Sequence, residues 1–433
     1  MLKLRGRLLA LLLLLAGLVL LASCGGDDEE EEAAPAGGQA ESKLEIFSWW
    51  TAGGEAEGLE QFFTVYKGQN AGVQIVNATV AGGAGANAKA VLKNRMLGGD
   101  PPDSFQVHGG QELIDTWVVP GKMAPITDVW EEQGWRDVYP EQLVEMVTHD
   151  GEIYSVPANV HRGNVLWFNK KVFADNNLQA PQTFDEFFAA AEKLKAAGIA
   201  PLALGDKLKW EAAHLFEDVL LGSLGADGYR GLWTGETAWD GPEVTQALET
   251  FDRMLDFVNE DHAAHTWDSA TQLVLDGKAA MTVMGDWAHG YFLSKGSEPD
   301  VDYGWAPAPG TDGSFMVVTD TFGLPKGAPH PNAARAWLEV VGSKEGQEAF
   351  NPKKGSICAR TDCDMSVFDV YLRSSAEDFK SNELTPSEAH GSAAPEGFAT
   401  EFNDIVASFV TNRDAGATMS ALKQACIDNG MCE

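Results

Sequence analysis

The chain has 433 residues, with 64 acidic against 31 basic side chains and a formal net charge of −33 at pH 7. Phosphate contacts demand a basic surface, so this charge speaks against a nucleic-acid partner. Apolar residues make up 44% of the chain, enough to bury two cores, and a chain of this length usually divides into two lobes.

Lys3, Arg5 and Arg7 precede an apolar run over residues 8–21, followed by Leu21-Ala22-Ser23-Cys24. The run is shorter than the ~18–20 residues a membrane-spanning helix needs, so residues 1–23 read as a cleaved secretory signal. Small residues directly before a cysteine resemble a bacterial lipobox, which makes Cys24 the expected lipid-bearing N-terminus. Acyl chains there would hold the protein at the membrane, on its extracytoplasmic side. Residues 24–42 begin with six consecutive acids after Gly26. Such a run repels itself and builds no core, so it reads as a solvated tether.

Four further cysteines, Cys358, Cys363, Cys426 and Cys432, form an even set in an exported chain and suggest two disulfides. Three pairings are possible, and the short separations favour Cys358 with Cys363 and Cys426 with Cys432. None of the four shows the close C-x-x-C spacing of zinc ligands. No metal and no cofactor is expected.

In chain order, a strand is expected over residues 44–48, a helix near 58–67, a strand over 73–76, a helix near 88–97 and a strand over 104–107. Thr183 and Glu186 form a capping box that starts a helix, with Phe187, Ala191 and Leu194 at helical spacing and Gly198 as its stop. Strands follow over 199–204 and 280–284, then a helix near 332–341. Between those two, Ala306-Pro307-Ala308-Pro309-Gly310 reads as a stiff extended run ending in a turn, and as a crossing between lobes. Short strands alternating with amphipathic helices argue an α/β fold with parallel sheets.

Gly83-Ala84-Gly85-Ala86-Asn87-Ala88 fits a dinucleotide fingerprint only weakly, in an exported chain and after the second strand rather than the first. His262 and His265, with Asp261 and Asp268, read as a solvated turn rather than a metal site.

Several segments together resemble a known family: Ile46-Phe47-Ser48-Trp49-Trp50, residues 156–162, Leu166-Trp167-Phe168-Asn169-Lys170, residues 281–287 ending in Gly285-Asp286-Trp287, and Asn351-Pro352-Lys353-Lys354-Gly355-Ser356. The chain resembles the carbohydrate-binding receptors of ABC importers, within family 1 of the extracellular solute-binding proteins. Trp49-Trp50, Lys354-Gly355-Ser356 and Ala389-His390-Gly391 resemble the glucose and mannose-binding branch more narrowly. The resemblance implies a type II periplasmic-binding-protein fold, with two α/β lobes, a hinge and an interlobe cleft. On that template residues 43–158 and 306–358 form one lobe, and 159–305 and 359–433 the other. Crossings then fall near Asn159, near Ala306 and shortly after Gly355. It further implies a monomeric, non-enzymatic receptor that hands a monosaccharide to the permease subunits of an importer.

A pyranose presents apolar C–H faces and a rim of hydroxyls, so its binder needs flat aromatic rings and many hydrogen-bonding groups. Trp49 and Trp50 stand at the carboxyl end of the first strand, where open α/β sheets bind ligands, and at least one is expected to stack on the sugar. Glu55 is a candidate hydroxyl acceptor, and Asp286 a stronger one, whose bland alternative is a helix N-cap. Lys354 and His390 match the family's donors. Lys93 and His108 lie where the family places polar contacts from the first lobe, although a lysine or glutamine is expected in place of His108. Trp210 and Trp267 come from the second lobe and either close the sandwich or belong to a core. Arg162 and Arg360 read as interlobe or packing charges. The rival reading is an exported glycosidase, for which Glu55 and Asp286 are the one carboxyl pair to nominate.

Overall fold

The computed structural model describes residues 41–432, and these belong to one compact unit. The signal segment, Cys24 and nearly all of the acidic tether lie outside the described residues. The first strands are β1 (Lys43–Phe47), β2 (Gln74–Asn77) and β3 (Ser104–His108), followed by the hairpin β4 (Thr148–His149) and β5 (Glu152–Ile153). Then come β6 (Ser155–Pro157), β7 (His161–Arg162), β8 (Val165–Asn169), β9 (Ala200–Leu202) and β10 (Ala279–Val283). The last four are β11 (Tyr303–Pro307), β12 (Ser314–Val318), β13 (Asp320–Gly323) and β14 (Glu383–Pro386).

Each lobe has its own sheet, and a third lies between them. The first has the order β2-β1-β3-β13-β6, the second β11-β8-β10-β9, and the third β14-β12-β7. Parallel pairs occur where a helix returns the chain, as in β1 with β2 and β3. The sheets are nevertheless mixed rather than parallel throughout, since β13 runs antiparallel to both β3 and β6, and β8 antiparallel to β10 and β11. A strand that enters from the other lobe has no crossover helix to reverse it, and so it pairs antiparallel.

The crossings come together as neighbouring backbone. Ala158 N–H donates to the Asp320 carbonyl at 2.8 Å, and Val160 and Ile357 exchange a pair of bonds at 2.9 and 3.0 Å. β12 leaves the middle sheet at Val318, and after Thr319 the chain joins the first sheet as β13. This passage, not Ala306, is the second crossing. Ala306 and Pro307 pair with Leu166 and Val165 inside the second sheet, so the proline-rich run ends an edge strand instead of linking lobes.

Two cores follow from this arrangement. One gathers Ile46, Phe62, Phe105 and Trp337, the other Phe187, Phe216, Phe251 and Phe402. The helix Phe184–Ala196 carries the expected capping box, with Thr183 Oγ1 accepting from Glu186 N–H and the Glu186 carboxylate accepting from Thr183 N–H. Cys358 is paired with Cys363 and Cys426 with Cys432.

Glycine lets three helices meet where the site forms. A Cβ on Gly290 would lie 2.3 Å from the Lys354 carbonyl oxygen, and one on Gly355 would lie 2.3 Å from Gly290 N. The starts of Gly53–Gln69 and Trp287–Ser294 are thereby held against the end of Lys344–Lys354. Gly290→Ala is expected to cost about 1–3 kcal/mol or more, because the obstructing atoms are backbone and cannot swing aside. Urea denaturation of the variant beside the parent chain measures this.

Candidate functional site

A narrow cavity lies beside the crossings, lined by residues from distant parts of the chain. Eight of the ten residues expected from sequence line it: Trp49, Trp50, Glu55, His108, Trp210, Trp267, Lys354 and His390. His161, Trp287 and Asp320 line it as well and were not assigned from sequence.

From the first lobe, Trp49 packs against the His108 ring at 5.0 Å between centroids, and its N–H donates to Gln106 Oε1 at 3.1 Å. Both tryptophans follow the end of β1, so the alternation of a strand no longer sends them to opposite faces. Trp50 shares itself with the core, at 5.0 Å from the Phe350 ring, while the Lys354 ammonium lies 5.4 Å above it. From the second lobe, Trp210, Trp287 and His390 form a triangle of rings with centroid separations of 5.4, 4.9 and 6.1 Å. Trp210 and Trp267 both press on the Gly83 loop, where a Cβ would come within 3.0 Å of each. That contact accounts for the first glycine of the dinucleotide-like motif, and the positive φ of Gly85 for the second.

Polar groups converge between these rings. Asp320 stands opposite His108 on the neighbouring strand, on the same face of the sheet. Its carboxylate accepts from the amides of Gln106 at 2.6 Å and Asn159 at 2.8 Å. The Nε2 atoms of His108 and His161 approach it at 3.8 and 3.6 Å. Lys354 Nζ donates to Glu55 at 3.2 Å. Burial pushes the Glu55 carboxyl up, and the Lys354 ammonium opposes that shift.

Two expectations are corrected by placement. Asp286 does not face the cavity. It begins the helix Trp287–Ser294 without capping it, and accepts instead from Arg162 N–H at 3.1 Å, from the Tyr371 hydroxyl at 3.2 Å and at His161 Nδ1. Its role is to hold His161, and burial raises its own carboxyl well above the ordinary range. Lys93 lies on an outer groove, 56% exposed, paired with Glu396 at 3.3 Å. The helix Ala88–Leu97 turns Lys89 inward in its place, to Glu112 at 2.7 Å.

The neutral reading of the remaining histidines and arginines holds in part. His262 and His265 pair with Asp206 and Asp261, and Arg162 binds Asp378, Asn164 and the Ser314 carbonyl at the crossings. His214, Glu217 and His390 bring three donor atoms within 4.8 Å of one another. Glu217 already accepts from His214, Ser387, Tyr229 and two backbone N–H groups, so this cluster is a hydrogen-bonded hub that fixes the His390 loop.

This arrangement has known counterparts. Residues 43–348 match the bacterial extracellular solute-binding protein family. The chain belongs to that family. An uncharacterized ABC transporter extracellular-binding protein of Pyrococcus horikoshii is 42% identical over 407 residues, 92% of this chain and 91% of the relative. A probable sugar-binding periplasmic protein of Mesorhizobium japonicum is 33% identical over 377 residues, 85% of this chain and 89% of the relative. Among solved structures, the bacterial solute receptor AcbH, whose reported preference is β-D-galactopyranose, superimposes with a TM-score of 0.79 at 20% identity, covering 89% of this chain and 97% of the receptor. That likeness supports the two-lobe α/β fold.

Beside the cavity, Glu211 follows Trp210 at the start of the helix Trp210–Thr234, fully buried and with no hydrogen-bond partner for either oxygen. Burial raises its carboxyl to about 8. A carboxyl that binds its proton more tightly when folded loses stability as pH rises, here from its unfolded value of 4.5 up to about 8. Glu211→Gln removes that loss, so its melting advantage over the parent should be absent near pH 4.5 and grow toward pH 8, to about 1–3 kcal/mol. Thermal denaturation across that range tests the sign.

Proposed function

We propose that this chain is the extracytoplasmic receptor of an ABC importer for a neutral monosaccharide, with glucose, mannose and galactose as the candidate pyranoses. The observation that carries this reading is the cavity itself. Indole rings from both lobes provide apolar faces, and Asp320, the imidazoles of His108, His161 and His390, and the Glu55–Lys354 pair provide a polar rim. The sugar-binding relatives and the galactopyranose receptor support the same class.

The second lobe closes over a sugar held by the first, with the crossings as hinge, and the closed form is the one the permease subunits recognise. Trp49 supplies the stacking face, Asp320 takes adjacent hydroxyls in the role expected of Asp286, and Lys354 and His390 complete the rim. Cys24 anchors a monomer to the membrane through its lipid. A glycosidase reading loses its nominated pair, since Asp286 stands behind the cavity wall and Glu55 is tied to Lys354.

Isothermal titration with glucose, mannose, galactose, xylose and maltose, with an assay for released reducing sugar, tests the proposal. Tight one-to-one binding of a monosaccharide without turnover is expected, weakened at least 30-fold in Asp320→Asn and in Trp49→Ala. Silence with every sugar, or hydrolysis of a glycoside, overturns it. Small-angle scattering should show compaction when the bound sugar is present; an unchanged radius of gyration would refute lobe closure even if binding stood.

A further inference from the structure

The three cavity imidazoles share one construction, in which Nδ1 is engaged by a group behind the wall. For two of them the direction of that bond is determined. Glu112 Oε2 accepts from Lys89 Nζ at 2.7 Å and meets His108 Nδ1 at the same distance. The Lys89 ammonium draws this carboxyl down against its burial, so it has no proton to offer, and the hydrogen between it and the imidazole belongs to His108 Nδ1. Ser387 has a single hydroxyl hydrogen, which it donates to Glu217 Oε1 at 2.7 Å. Its contact with His390 Nδ1 at 2.8 Å therefore requires the imidazole to donate. Burial keeps His390 neutral.

A neutral ring with its proton on Nδ1 presents a bare lone pair at Nε2. Neither His108 nor His390 has a hydrogen-bond partner at Nε2 among the described residues, and the two rings stand edge to face at 5.4 Å. Beside them lies the Asp320 carboxylate. Resting on the sugar-receptor reading, we infer that the His108 ring, like that of His390, carries its one proton on Nδ1, and that His108 Nε2, His390 Nε2 and Asp320 form an acceptor triad that selects a ligand edge made of hydroxyl donors and rejects sugars bearing a carboxylate or phosphate there. Glu112 and Ser387 are positioning residues, since they act by fixing which nitrogen carries the proton. Placing an acceptor against this edge leaves buried acceptors facing one another, which costs more than the simple loss of a bond.

The triad is tested on the full chain in two ways. The first is the 15N spectrum of the histidine side chains recorded without ligand, assigned through His108→Gln and His390→Gln. Both Nε2 resonances are expected at the unprotonated position, and Ser387→Ala should convert His390 to a mixture of tautomers. The second is titration with whichever of glucose, mannose and galactose binds, with its deoxy and deoxyfluoro analogues, and with the corresponding uronate and 6-phosphate. Fluorine accepts but cannot donate, so at one or more positions the fluoro analogue should bind at least ten-fold more weakly than the parent, and more weakly than the deoxy analogue. The uronate or the 6-phosphate should bind at least 100-fold more weakly than the parent. Protonated Nε2 on both rings, or fluorine tolerated at every position, overturns the triad while leaving the receptor intact. If none of the three sugars binds, the receptor reading falls, and the triad's selectivity with it.

Discussion

The site depends on one buried carboxylate at the point where the chain passes between sheets. Asp320 begins β13 immediately after the crossing, and two amides from different segments, Gln106 on β3 and Asn159 at the first crossing, donate to its two oxygens. Its own N–H returns to Asn159 Oδ1 at 2.8 Å. A charge this deep is tolerable only with such donors, and each of them also positions something else. Gln106 accepts from Trp49 N–H, and Thr319 next door donates to the Asn159 carbonyl. The first crossing, the second crossing and the leading tryptophan are thus tied to one group, and the crossings and the cavity wall are parts of the same network.

Around this charge the aromatic residues close from both sides. Trp210, Trp267 and Trp287 belong by packing to the same cluster as Trp49 and Trp50, although they come from the other lobe. The rings are kept in place by close backbone approaches rather than by bulk. Gly83 admits Trp210 and Trp267, and Gly290 against Gly355 brings Trp287 and Lys354 together. Behind the second-lobe wall, Glu217 gathers five donors, and the loop that presents His390 is fixed by them.

The elements were legible where the code is local: the capping box at Thr183, the alternation of strand and helix up to His108, and the disulfide partners five and six residues apart. Residues that reach the cavity directly from an element end, such as Trp49, Lys354 and His390, were legible through their motifs. What the sequence hid was which of two neighbours faces inward. Asp286 and Trp287 are adjacent, and only the turn into the helix decides that the ring points to the cavity and the acid away from it. Lys89 and Lys93 stand one helical turn apart, and the approach of Glu112 selects the former. Asp320 carries a sequence signal of its own, a lone acid between two threonines in the otherwise apolar segment from Phe315 to Phe322. The second crossing was misplaced because proline and glycine at 307–310 suggest a linker, whereas the actual crossing is an unbroken extended chain with one residue between two strands.

The same geometry bears on why closure should need a ligand. His161 Nε2, Trp50 Nε1 and Trp210 Nε1 all belong to lining residues, are shut off from solvent, and have no hydrogen-bond partner within the protein. A buried polar atom left without a partner costs roughly 1–3 kcal/mol, so lobes brought together as here carry a penalty of several such terms. Opening returns those atoms to water and removes it. A polyhydroxylated ligand removes it as well, by bonding to atoms that water reaches only in the open form. The difference between those two routes is the free energy with which such a ligand shifts the population toward the closed form, since a ligand can move an equilibrium only by its differential affinity for the two states. On the proposed closure of the lobes over a sugar, orphaned polar atoms on the cavity wall, which would be defects in an ordinary core, are what would couple capture to closure.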